Sequence, residues 1–117
     1  MRISPARAHM LRAKAAKESA ANNPEQLPET DAYQLMAAAL VEDKRRLHDV
    51  QSMERKAEVK AQLLPQYRPY IQGVLDGGTG GRDDVFMALL VWHLDAGQVK
   101  SALAMAEYAL KHNLPLS

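Results

Sequence analysis

Cysteine is absent from the 117 residues, which excludes disulfides and thiolate metal sites and makes a reducing compartment, the cytoplasm, the natural setting. Long apolar runs are missing as well. No stretch approaches the roughly 20 residues of a membrane-spanning helix, and the opening MRISPARAHMLRAKAAK lacks the uninterrupted apolar run of a secretion signal. A soluble, unexported protein without a membrane partner is expected. Sustained period-two alternation is also lacking, which leaves no candidate strand and predicts an all-α fold.

Net charge is close to nothing, +1 from 15 Lys and Arg against 14 Asp and Glu. The balance is not local. Residues 1–20 carry Arg2, Arg7, Arg12, Lys14 and Lys17 against the single acid Glu18, whereas residues 65–117 carry Arg68, Arg82, Lys100 and Lys111 against five acids. A cationic front therefore precedes a nearly neutral remainder.

Three segments follow from the helix breakers. Ser4-Pro5 reads as a helix start, and the Ala-rich stretch to Ala21 favours helix. With only Met10, Leu11 and scattered alanines to bury, residues 1–29 are expected to form a basic, mobile or partly helical arm, ended by Asn22-Asn23-Pro24 and Pro28. From Thr30, an N-cap candidate, to Leu64 there is neither Gly nor Pro, which predicts one helix over 30–64 reaching roughly 50 Å.

Tyr33, Met36, Leu40, Leu47 and Val50 give that helix an imperfect three-and-four seam, interrupted by Asp43 and Glu54. A helix of this length leaves too little chain to cover it, so the seam predicts self-association into a homo-oligomer.

Residues 65–117 are expected to fold as a compact bundle of short helices. Pro65 closes the long helix, and Tyr67, Tyr70, Ile71, Val74 and Leu75 share a face beyond it. The loop Gly77-Gly78-Thr79-Gly80-Gly81 reads as a hinge. Asp83 and Asp84 open the almost wholly apolar helix VFMALLVWHL. A last helix from about Val99 to His112 presents Val99, Ala102, Leu103, Ala106, Ala109 and Leu110 toward its predecessor.

No catalytic constellation emerges. Asp83 and Asp84 point about 100° apart on a helix, so capping explains them better than a shared cation. His93 and Asp95 face different directions, and His9, His48 and His112 are scattered. The glycine loop lacks a GxxxxGK(S/T) arrangement and carries acids that repel phosphate. No cofactor, metal or catalytic residue is assigned. Trp92 and Met87 read as core, while Tyr67 and Tyr70 beside Arg68 are consistent with an exposed aromatic-cationic face or with rigid packing around Pro65 and Pro69.

The ordered series Leu63-Leu64-Pro65, the cluster Tyr67 to Tyr70, Gly73-Val74-Leu75, the glycine loop, Asp83-Asp84, Trp92, Leu94-Asp95, Gly97, Ala102-Leu103 and Tyr108-Ala109-Leu110 resembles the small terminase subunit family of tailed phages, M-protein type. SPARAHMLR near the start agrees with it, so the resemblance covers most of the chain. Family members usually continue beyond the equivalent of Ser117, which implies a fragment or a short relative.

The resemblance implies a ring-like homo-oligomer in the bacterial host cytoplasm that recognises double-stranded viral DNA and hands it to the large, ATPase-bearing subunit. Charge offers Arg2, Arg7, Arg12, Lys14 and Lys17 as phosphate contacts, and after them Lys44, Arg45 and Arg46 of the long helix, which Glu42, Asp43 and Asp49 dilute; the resemblance strengthens that assignment. The family also carries an endonuclease label. A second resemblance, of residues 92–110 to one step of a tetratricopeptide array, implies a protein-interaction adaptor, but no second copy occurs at a period near 34 residues.

Overall fold

The computed structural model describes residues 3–21 and 24–115. Arg2 and the Asn22-Asn23 break lie outside them. Six α-helices follow in order: α1 (Pro5–Ser19), α2 (Asp31–His48), α3 (Met53–Leu63), α4 (Arg68–Gly77), α5 (Asp84–Asp95) and α6 (Val99–Lys111). Short 3-10 turns occupy Pro24–Glu29 and Leu64–Tyr67. No strand occurs among the described residues, and the all-α reading holds.

α1 starts as its sequence dictates, with Pro5 in the first turn and the Ser4 hydroxyl accepting from Arg7 N at 3.2 Å. It is a docked helix, not a mobile arm. Leu11, Ala15 and Ser19 are buried against α4, where Gly73 and Gly77 lie beneath the backbone of Arg12 and Ala16. A Cβ at Gly73 would press into the Arg12 carbonyl and the Ala15 methyl; one at Gly77 would press into Ala16. α1, poor in large apolar residues, thus packs on α4 by close approach at small ones. Arg12 reinforces the contact with a two-pronged pair to Asp76 on α4, at 2.6 and 3.0 Å.

The single helix expected over 30–64 is divided. α2 ends at His48, residues 49–52 break the chain, and Ser52 caps α3 by accepting from Arg55 N at 2.9 Å. Ser side chains compete with helical hydrogen bonding, and Ser52 does so here with neither Gly nor Pro in the break. The greatest extent of the molecule is 42 Å, too short for the continuous rod.

At the start of α2, Thr30 occupies the cap position, but its hydroxyl donates back to the Leu27 carbonyl. The open amides of Ala32 and Tyr33 are taken by the Glu18 carboxylate from α1, at 3.0–3.3 Å. The two helices are therefore joined through the acid that sequence had set aside as the lone negative charge of the front.

Division of the helix turns the seam inward. Met36, Leu40 and Leu47 are buried in this chain's own core, and Tyr33 and Val50 are half-buried. The intermolecular seam expected of these residues gives way to an intramolecular one. Asp43, which interrupted the pattern, sits on the same inward face and accepts from the Tyr67 hydroxyl and the Gln66 amide.

Leu64–Tyr67 and α4 form an elbow with both tyrosines fully buried, so packing, not an exposed aromatic-cationic face, is their arrangement. Tyr67 meets the edge of Trp92 at 6.3 Å between centroids, and Lys60 lies 5.7 Å over that indole while pairing with Asp95 at 2.6 Å. α5 is the central helix, burying Val85, Phe86, Met87, Leu89, Leu90, Trp92 and His93. Beyond its end at Asp95, Gly97 with a φ of +75° lets Gln98 N return to the His93 carbonyl at 2.8 Å.

α6 buries Ala102, Met105 and Ala109. Val99, Leu103 and Leu110, expected against α5, border an open cleft with it and are mostly exposed. One continuous core unites residues of α1, α2 and α4–α6.

Candidate nucleic-acid interface

The eight cations that sequence assigned to DNA fall into distinct settings. Arg2 lies outside the described residues. Arg12 is committed to Asp76, whose carboxyl is held below its ordinary range by that hydrogen bond. Lys14 lies 3.6 Å from Asp31, Arg45 pairs with Glu42 at 3.1 Å, and Arg46 with Asp43 at 3.3 Å. Arg7, Lys17 and Lys44 are exposed and make no ion pair among the described residues.

α1 brings three of them together. Arg7, Met10, Lys14 and Lys17 follow three-and-four spacing, which places them on one side of the helix, and all four are exposed. Opposite them, α1 is anchored on α4, so the stripe stands on a fixed helix and not on a tether. Lys44 and Arg45 lie apart from this stripe on α2.

Between α1, α2 and the elbow runs a groove of about 610 Å³. Arg7, Lys14 and Arg46 line it, but so do Asp31, Glu42 and Asp43. Three cations against three carboxylates do not make a polyanion channel. The Arg7–Lys17 stripe is the cationic feature, and it lies along the rim of this groove.

The acids at the start of α5 act structurally. Asp83 is buried, caps the helix by accepting from Phe86 N at 2.8 Å, and accepts from the Tyr70 hydroxyl at 2.6 Å. Burial pushes its carboxyl above the ordinary range. Asp84 is exposed and meets Arg82 at 3.2 Å. His93 is buried with Nδ1 2.7 Å from the Leu89 carbonyl, and burial lowers its pKa. Among the described residues no three His, Asp or Glu side chains converge as a metal site.

The glycine loop is tied down, not a free hinge. Thr79 N donates to the Ser19 carbonyl at 3.2 Å, and Gly80 N donates to the Tyr108 hydroxyl at 3.0 Å. No helix of the described residues is long and apolar enough to cross a membrane.

Sequence reasoning missed three features. Glu18 could have been found only by knowing that α1 and α2 meet. Asp43 was visible as an acid at a seam position, spaced three and four from Leu40 and Leu47. The exposed row on α6 was not visible, because sequence does not say which part of its apolar face α5 covers.

The described residues form a strand-free helical domain with an exposed basic stripe on α1 and a structural role for the buried acid Asp83. The chain belongs to the phage small terminase subunit family, whose model matches residues 37–117. It is 40% identical over 113 residues to a protein of Escherichia phage P2 that bears the name "Terminase, endonuclease subunit". That match covers 97% of this chain and 45% of the relative, so the chain spans about half the relative's length. No solved structure matches the chain.

Proposed function

We propose that this chain acts as the DNA-recognising small subunit of a phage or prophage terminase, assembling as a homo-oligomeric ring in the host cytoplasm and delivering double-stranded viral DNA to the large, ATPase-bearing subunit. The observation that carries this reading is the family likeness over nearly the whole chain. The exposed stripe Arg7, Lys14 and Lys17 on α1 supports the DNA part, because cations on a docked helix contact phosphates without first ordering a tail. Lys14 and Arg45 join these contacts by exchanging exposed carboxylate partners for phosphate, since such surface pairs are worth only about 0–1 kcal/mol; Arg46 instead stays with its partner Asp43, which is buried. Arg12 serves instead to hold α1 against α4.

The name of the phage P2 relative favours a second reading, metal-dependent DNA cleavage. Incubating the purified protein with duplex DNA and magnesium separates the two. Retarded, intact duplex is the expected result. Cleavage that is lost on Asp84→Ala, with helicity unchanged, would establish the nuclease reading in its place.

A further inference from the structure

The outer face of α6 carries an apolar strip that this chain leaves largely uncovered, bordering an open cleft against α5. Val99, Leu103 and Leu110 are 59%, 57% and 78% exposed, and Ala106 completes the row. Their spacing of four, three and four is that of a helix–helix seam. The strip continues into a cleft of about 340 Å³ between α5 and α6, floored by Met87 and Leu90, and Leu94, 57% exposed, stands at its edge. Isolated exposed apolar residues are ordinary, but a contiguous row at seam spacing beside an apolar cleft marks an interaction surface.

We propose that this strip pairs with the same strip of a second copy, α6 against α6, antiparallel about a two-fold axis. The apolar register is self-complementary in that direction: Leu103 faces Ala106 of the second copy, and Val99 faces its Leu110. Charge decides between directions. Lys100 and Glu107 are both exposed and lie on the same outer flank of the strip, one heptad apart. On the inner flank are Ala102 and Ala109, buried against α5.

Parallel pairing sets each outer flank against the partner's alanine flank and leaves Lys100 and Glu107 without counterparts. Antiparallel pairing sets outer flank against outer flank, so each Lys100 meets Glu107 of the second copy, twice per dimer. Such a contact is isologous and closes at two, and a larger ring would join these pairs through another surface. The inference gives the assembly part of the proposed function its surface and rests on that reading.

Mass in solution, by light scattering after size exclusion across a concentration series, tests it. The native 117-residue chain is expected to run as a dimer or an even multiple. Leu103→Glu removes an apolar contact and buries a charge in both copies, and is expected to weaken pairing by about a hundredfold, tenfold for each copy. Lys100→Glu is expected to weaken it severalfold at low salt, and adding Glu107→Lys to restore it.

Helical circular dichroism confirms that each variant is folded, and the exposed charge changes keep the test valid if Leu103→Glu does not fold. A native monomer would overturn both the pairing and the assembly reading, leaving the strip to another segment or protein. A native multimer that all three variants leave unchanged would overturn the α6 pairing alone. Weakening by Lys100→Glu that Glu107→Lys fails to reverse would overturn the antiparallel direction.

Discussion

Tyr67 and Tyr70 each donate to a carboxylate that the fold has removed from water, Asp43 in one case and Asp83 in the other. Burial, with the neighbouring acid, raises both phenols well above their ordinary range, so they remain donors at any ordinary pH. Removing a donor while leaving a buried acceptor costs more than a hydrogen bond is worth on average. Tyr67→Phe is therefore expected to lower unfolding free energy by about 1–3 kcal/mol in urea titrations.

Asp83 makes a pH-dependent contribution as well. Its carboxyl is raised by burial, despite the stabilising bonds from Tyr70 and Phe86, so the folded state holds this proton more tightly than the unfolded chain does. The resulting contribution to stability is fully present below the unfolded value of about 3.9 and is lost as pH climbs through the raised one. The stability difference between native protein and Asp83→Asn is expected to shift against the native protein as pH rises from about 4. A difference independent of pH would show that Asp83 titrates normally.

Among the elements, α1 is held by contacts that its own composition does not advertise. Gly73 admits the Arg12 carbonyl and Ala15 where any side chain would collide. Gly73→Val is expected to cost about 1–3 kcal/mol or to displace α1, seen as lost cooperativity in thermal unfolding. Glu18→Ala removes the acceptor for two amides at the start of α2 and is expected to cost about 1 kcal/mol, as loss of an N-cap does.

These elements also mark what the sequence could disclose. Ser4-Pro5 and Asp83 were legible because capping is local chemistry within three residues. The apolar α5 was legible because its pattern needs no partner to be read. The docking of α1 was not, because it depends on glycines some sixty positions away, and neither was the break at 49–52, which holds no glycine or proline and is marked only by the Ser52 cap. The exposure of Val99, Leu103 and Leu110 was hidden for another reason: α6 is apolar on two sides, and sequence does not say which one α5 covers.

For the molecule as a whole, one core unites the arm, the divided long helix and the C-terminal helices. Deleting residues 1–20 would expose that core, so the basic stripe must be tested by substitution at its tips. Arg7, Lys14 and Lys17 lie on one side of α1, opposite its anchorage, and the adjoining groove is charge-balanced. Substitution of the stripe is therefore separable from folding.

The most direct measurement is the affinity of the folded protein for duplex DNA across a salt series, native against Arg7→Gln/Lys14→Gln/Lys17→Gln. Affinity is expected to fall as salt rises, with a logarithmic slope shallower in the triple variant by roughly 0.9 for each phosphate contact removed. Equal affinity and equal slope in the two proteins would contradict the assignment of DNA to α1, and absence of binding by the native protein at low salt would contradict the proposed function of this chain.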